Sequence, residues 1–185
     1  RRVYLDLIGL PPTREQLNSF LAQPTEEHYR KIVQRLLDSP QYGERWGRHW
    51  MDIWRYSDWY GRRSVNDVRH SFPHIWRWRD WIMDSLTEDQ GYDRMVTELL
   101  AADEIAPEDD SKIVATGFIV RNWFALNVDV WMKDVVEHTG KAFLGIRMNC
   151  AHCHDHKYDP ISQEEYFAFR AFFEPLEIRN DRVPG

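Results

Sequence analysis

The stretch CAHCHDHKYDPI, residues Cys150–Ile161, lies between two helical patterns and decides how the rest of the sequence is interpreted. Its first five residues form a C-x-x-C-H motif, the attachment signature of haem c. Two thiols three residues apart on one turn can both reach the vinyl groups of one porphyrin, and the next histidine can ligate the iron. The motif therefore predicts one covalently attached haem c, held by Cys150 and Cys153, with His154 as the proximal iron ligand.

Three alternatives to haem remain open for this motif. A structural zinc site takes four ligands, often from two separated pairs, and His152, His154 and His156 would supply nitrogens beside the two thiols. A thioredoxin-like redox pair would need a βαβ context, and a chance match is the third alternative. Haem is preferred because zinc would crowd one loop without a second ligand pair, and the chain has only two cysteines.

The spacing of apolar residues predicts an all-α fold, a single mostly helical domain over residues 1–185 that encloses the haem. Capping-box patterns start two of the helices, Thr13 with Gln16 and Ser162 with Glu165. Loops are expected at about Arg62–Phe72 and Asp103–Ser111. The other helices are expected at about Arg2–Gly9, Glu26–Asp38, Pro40–Tyr60, Pro73–Leu86, Tyr92–Ala101, Lys112–Asn122 and Val128–Leu144.

Two of these helices carry clear apolar stripes that are expected to face the core. The stripe of the helix after Thr13 consists of Leu17, Phe20 and Leu21. The stripe of the helix after Pro40 consists of Trp46, Trp50, Ile53 and Trp54.

Charge and hydropathy limit the classes of partner. The net charge is −6, which argues against nucleic acid because that binding depends on basic residues that neutralise phosphates. No apolar run approaches the roughly 18 residues of a membrane span. The chain starts at Arg1 inside an amphipathic segment, so it is expected to be a fragment of a larger multidomain protein.

The sequence identifies the ligand on the opposite face of the iron less clearly than it identifies the proximal ligand. His138 is the first candidate because it shares a helical stripe with Trp131 and Val135, although a histidine on such a stripe is more often a structural core residue. An open sixth position is the alternative, in which a neutral histidine could act as acid or base. The weaker candidates are His49, His74, Met132, Met148 and His156.

The chain resembles the cytochrome c-like domain of large planctomycete multidomain proteins. The resemblance rests on the CAHCHDHKYDPI motif and on matching segments spread along most of the chain. These segments are Leu5–Thr13, Arg55–Asp58, Trp76–Trp81, Ala102–Glu104 and Phe143–Gly145. It implies haem binding through Cys150, Cys153 and His154, an extracytoplasmic location in the periplasm or on the cell surface, and a role in electron transfer.

The preferred functional hypothesis is therefore a monohaem cytochrome c domain that passes single electrons to a redox partner protein or to neighbouring domains of the same chain. A second hypothesis is an open-site haem enzyme that reacts with peroxide or another small ligand. A third is a carbohydrate-binding module in which exposed tryptophans, such as Trp59 or Trp123, stack on sugars while the haem is peripheral.

Overall fold

The computed structural model describes residues 1–58, 74–121 and 127–177. The predicted loop Arg62–Phe72 and both Trp59 and Trp123 lie outside the described residues. Within the described ranges every regular element is a helix, which confirms the all-α prediction. The α-helices are α1 (Arg2–Ile8), α2 (Arg14–Ala22), α3 (Glu26–Leu37), α4 (Pro40–Trp54), α5 (Trp76–Thr87), α6 (Tyr92–Ile105), α7 (Asp110–Ile113), α8 (Gly117–Val120), α9 (Val128–Thr139) and α10 (Gln163–Ala171).

Local capping chemistry defines several helix ends as predicted. The Thr13 side chain accepts from the Gln16 backbone N–H at the start of α2, and Gln16 bonds back to the Thr13 N–H. Ser162 and Glu165 form the same reciprocal pair at the start of α10. Gly9 ends α1 in the left-handed conformation, with φ of 73°, which glycine adopts without steric cost.

Helix α4 ends six residues earlier than predicted. Its last residue is Trp54, and Arg55 follows with a left-handed φ of 60°. The Arg55 carbonyl accepts from Nε of Arg121 at 2.8 Å. A tertiary contact therefore accompanies the end of this helix, and no glycine or proline marks it in the sequence.

The region after α5 also differs from prediction. Helix α6 continues into the expected acidic loop as far as Ile105, with a kink at Ala101, where φ is −150°. The single predicted helix Lys112–Asn122 is instead α7, a 3₁₀ turn at Val114–Thr116 and α8. The loop between α6 and α7 is consequently short. It ends at Asp109, which caps α7 by accepting from the Ser111 N–H.

The main core lies between α4, α5, α6, α8, α9 and α10 and is rich in aromatic rings. Its fully enclosed side chains include Trp54, Trp78, Trp131, Phe118 and Tyr166. Helices α4 and α5 pack closely at Gly43, where a Cβ atom would clash with the Thr87 hydroxyl and the Met83 carbonyl oxygen. The glycine therefore permits this close crossing.

A second, smaller cluster joins α1 to α3 through Tyr4, Ile32 and Leu36. The predicted burial of Leu21, Trp46 and Ile53 is wrong, because all three side chains are exposed. On these helices the band of residues that faces the core is narrower than the spacing of apolar residues predicts. No helix among the described residues is long and apolar enough to cross a membrane.

Candidate functional site

The C-x-x-C-H motif forms a single helical turn. Residues Asn149–His152 are a 3₁₀ helix, and the Cys150 carbonyl accepts from the backbone N–H groups of both Cys153 and His154, at 3.3 and 3.4 Å. Side chains three residues apart eclipse on a 3₁₀ turn, and the next side chain follows about a third of a turn further on. Cys150, Cys153 and His154 have this spacing, and both cysteines are exposed free thiols.

The imidazole of His154 is oriented by the neighbouring backbone. Its Nδ1 lies 2.7 Å from the Asp155 carbonyl oxygen. A carbonyl oxygen only accepts hydrogen bonds, so Nδ1 carries the hydrogen and Nε2 of the neutral ring keeps its lone pair. Metal-binding histidines commonly use this arrangement, in which a carbonyl fixes one nitrogen and the other faces the metal.

The first turn of α10 holds the motif on one side. The Gln163 backbone N–H donates to the Asp155 carboxylate at 2.8 Å, and the Gln163 side chain donates to the His152 carbonyl at 3.0 Å. A carboxylate at a helix N-terminus satisfies a free N–H and interacts favourably with the helix dipole. The residues on either side of Cys153 and His154 are thus tied to one helix end.

His152, the second variable residue of the motif, packs its ring against α10. The ring centroid lies 5.4 Å from that of Tyr166, edge to face, and 5.7 Å from that of Phe167. Its Nδ1 lies 3.3 Å from Sγ of Cys153. The zinc alternative assigned a ligand role to this histidine, whereas here its ring contacts aromatic side chains and one thiol.

A buried carboxylate holds the other side of the motif. Glu137, on α9, is 3% exposed. Its Oε2 accepts the backbone N–H groups of Met148 and Asn149, at 2.8 and 2.7 Å, and its Oε1 pairs with Lys141 at 2.7 Å. Burial alone would raise the pKa of Glu137, but the Lys141 ion pair and the two N–H donors outweigh it and lower the pKa.

The residues after the motif form a closed loop around His156. The His156 N–H donates to the Ile161 carbonyl at 2.8 Å, and the Asp159 N–H donates to Nδ1 of His156 at 2.9 Å. His156 therefore has a hydrogen-bonding role within this loop. Nδ1 of His156 accepts a hydrogen bond from the backbone of its own loop.

His138, the candidate for the opposite iron face, is half-buried on α9 among positive charges. Burial, followed by the charges of Arg55 and Lys141, lowers the pKa of His138 to about 4. The pKa of Arg55 is itself lowered to about 10, by burial and by Arg121. The His138 ring is therefore neutral at pH 7, as an iron ligand must be, and its role as distal ligand stays a prediction.

The weaker distal candidates occupy varied environments. His49 is exposed, with its ring 5.4 Å from that of Trp46, whereas Nδ1 of His74 is buried without a hydrogen-bond partner among the described residues. Met132 and Met148 are buried in the main core. A methionine enclosed among core side chains would have to leave that packing to ligate a metal.

Two tryptophans of the described part of the chain are substantially exposed. Trp46 is 37% and Trp76 is 43% exposed, and the guanidinium of Arg77 lies 5.6 Å from the Trp76 ring centroid. The carbohydrate hypothesis required at least one exposed tryptophan, so it stays open. Its two original candidates, Trp59 and Trp123, are not among the described residues.

The motif turn carries the types of side chain that a haem c uses. Two free thiols can form the thioether links, and His154 offers an imidazole nitrogen. In residues 1–58, 74–121 and 127–177, no group of three or more His, Cys, Asp or Glu side chains is arranged to hold a metal ion.

Sequence reasoning missed two residues of this site, Glu137 and Gln163. Gln163 follows the Ser162 cap, and its position at the start of α10 was available from the capping box. No pattern in the sequence links Glu137 to the motif, because its partners are 11 and 12 residues away.

Residues 1–178 match the model of a family designated PSCyt2, which is described as a protein of unknown function (DUF1549). This match agrees with the resemblance at the level of the family, and the description leaves the function open. No curated protein matches the chain, and no solved structure matches it.

Proposed function

The chain belongs to the PSCyt2 family, and we propose that it holds one haem c through Cys150 and Cys153, with His154 as the proximal iron ligand. The observation that carries the proposal is the motif turn itself. Two free, exposed thiols and one imidazole stand at positions i, i+3 and i+4 of one turn, and the bond from Nδ1 of His154 to the Asp155 carbonyl leaves Nε2 for the iron.

The chemistry that a haem c supplies when bound is single-electron exchange at iron, with a potential set by axial ligands, burial and hydrogen bonds. The chain's own part is to orient its ligands. Asp155 fixes the His154 ring, and the start of α10 fixes Asp155. On this basis the domain passes electrons to a redox partner protein or to neighbouring domains of the same polypeptide.

Location and partner follow from the same proposal. Covalent haem attachment requires an extracytoplasmic maturation system, so we assign the domain to the periplasm or cell surface. The net charge of −6 favours a partner with a basic docking face, whose association slows as salt rises. Nucleic acid is not expected as a partner.

The test is to produce the chain with a haem c maturation system and to measure intact mass and the pyridine haemochrome spectrum. We expect the polypeptide mass plus one haem, and a c-type spectrum. Changing Cys150 and Cys153 together to serine should abolish covalent haem, and His154→Ala should remove the normal axial ligation. His28→Ala, a change to a histidine on α3 that is not among the candidate iron ligands, serves as the matched control. A wild-type mass equal to bare polypeptide, without haem absorption, would falsify the proposal.

One observation favours the second candidate, an open-site haem enzyme. His138 is neutral at pH 7 and lies close enough to Arg55 to feel its charge, and a neutral imidazole can serve as a general base. Carbon monoxide and cyanide separate the two candidates. A six-coordinate low-spin spectrum that neither ligand changes contradicts the enzyme, whereas a high-spin ferric form that binds cyanide, and whose reduced form binds carbon monoxide, contradicts simple electron transfer.

A further inference from the structure

Glu137 and the motif turn meet because the chain doubles back after α9. A π-helical turn at Gly140–Leu144 is followed by Gly145 in the left-handed conformation, with φ of 69°. The returning chain packs Met148 against Gly140, where a Cβ would lie 2.9 Å from Cγ of Met148. This path brings the backbone N–H groups of Met148 and Asn149 to the Glu137 carboxylate.

The two N–H groups that Glu137 accepts belong to the residues directly before Cys150. Hydrogen bonds to an ionised acceptor are stronger than neutral ones, and a buried N–H without a partner costs free energy. Met148 is only 5% exposed, so water does not easily replace a lost acceptor at its N–H, whereas Asn149 is exposed. The Glu137 contacts therefore set where the turn that bears the first thiol begins.

From this geometry we infer that Glu137 is a positioning residue, which holds the haem-attachment turn in shape before haem binds. The inference rests on the proposed function, since it assigns Glu137 a role toward the same site. Lys141 supports the role by neutralising the buried carboxylate through Oε1 while Oε2 holds the turn. Together with the α10 contacts to Asp155 and His152, Glu137 fixes the turn on both sides.

Glu98 provides a matched control. It is 2% exposed, pairs with Arg94 and accepts from the Trp81 indole N–H. It is thus a second buried helical glutamate with a basic partner four residues away, but its described contacts do not include the motif. Glu98→Ala reproduces the loss of a buried carboxylate without touching the turn.

The decisive experiment measures amide hydrogen exchange of Met148 and Asn149 in the haem-free protein. We expect Glu137→Ala to reduce protection of these two amides roughly tenfold or more beyond any global change, because two charge-assisted bonds are lost. Glu137→Gln should restore most of the protection, since its amide oxygen still accepts. Unchanged protection in Glu137→Ala, or an equal local loss in Glu98→Ala, overturns the inference.

Haem incorporation forms the second arm of the test. With a maturation system, Glu137→Ala should give a clearly smaller fraction of covalently loaded chain than wild type, Glu137→Gln or Glu98→Ala at matched amounts of folded protein. Equal incorporation by all four contradicts the positioning role. If wild type itself takes no haem, the proposed function fails, and hydrogen exchange alone decides whether Glu137 holds the turn.

Discussion

The backbone N–H of Gln163 donates to the carboxylate of Asp155 at 2.8 Å, so the first residue of α10 holds the residue that follows the proposed iron ligand. The Asp155 carbonyl in turn accepts from His154. Side-chain and backbone oxygens of one residue thus connect a helix terminus to an imidazole. Changes at the start of α10 should consequently affect the motif.

Ser162→Ala tests this connection. Loss of the cap should destabilise the protein by about 1 kcal/mol and should also increase hydrogen exchange at Gln163 and at the motif amides. Thr13→Ala is the control, because Thr13 forms the same capping box on α2, away from the motif. Urea unfolding should show similar losses for both variants. Identical exchange at the motif in the two variants would contradict the connection.

His138→Ala tests the distal ligand in the haem-loaded protein. If His138 occupies the sixth iron position, the variant should change from a low-spin to a high-spin ferric spectrum and bind cyanide faster. His74→Ala is the comparison, because His74 is a rival candidate in the turn that precedes α5. A low-spin spectrum that His138→Ala leaves unchanged removes His138 from consideration.

The haem-free protein should lose stability on mild acidification because of His138. The folded pKa is about 4, below the ordinary value of 6.5, so the unfolded chain binds a proton that the folded chain does not. The contribution of His138 to the free energy of unfolding should therefore fall as pH decreases from about 6.5 to about 4, and then level off.

His138→Gln removes the titrating group, so the difference in unfolding free energy between wild type and the variant should change across that window. Urea unfolding at pH 7, 5.5 and 4 measures it. A difference that stays constant with pH would show that the histidine is not depressed in the folded state.

The close approach of α4 and α5 predicts that alanine substitution will change the stability by different amounts at two glycines. Gly43→Ala should destabilise the protein by about 2 kcal/mol or more, because the new methyl group meets the Met83 carbonyl and the backbone must move. At Gly47 the methyl group would lie 3.0 Å from Cγ of Met83, part of a flexible side chain. Alanine also favours a helix over glycine by about 1 kcal/mol.

Gly47→Ala should therefore stay within about 1 kcal/mol of wild type, although it lies one turn from Gly43 on the same helix. Thermal and urea unfolding of the two variants measure the contrast. Equal losses at both sites would show that the crossing does not depend on Gly43.

Features governed by neighbouring residues were predictable from the sequence. The caps at Thr13 and Ser162, the stop at Gly9 and the end of the α9 extension at Gly145 all depend on contacts within a few residues. The spacing of the motif likewise placed two cysteines and one histidine on a single turn. Such local rules need no knowledge of the fold.

Features governed by distant contacts were not predictable. The end of α4 coincides with a bond from Arg121, 66 residues away from Arg55. The inferred role of Glu137 depends on a π-helical turn and a chain reversal. The spacing of apolar residues predicts neither feature. The exposure of Trp46 depends on which neighbouring helices cover α4, and a single amphipathic pattern does not contain that information.

The exposure of the two thiols has a practical consequence for anyone who handles this protein. Cys150 and Cys153 are both open to solvent and unpaired, so oxidants, alkylating reagents and other thiols in solution can reach them. Material purified without haem should be kept in a reductant, and its free sulfhydryl groups should be counted first. A batch that has lost them cannot form the proposed thioether links, however well folded it remains.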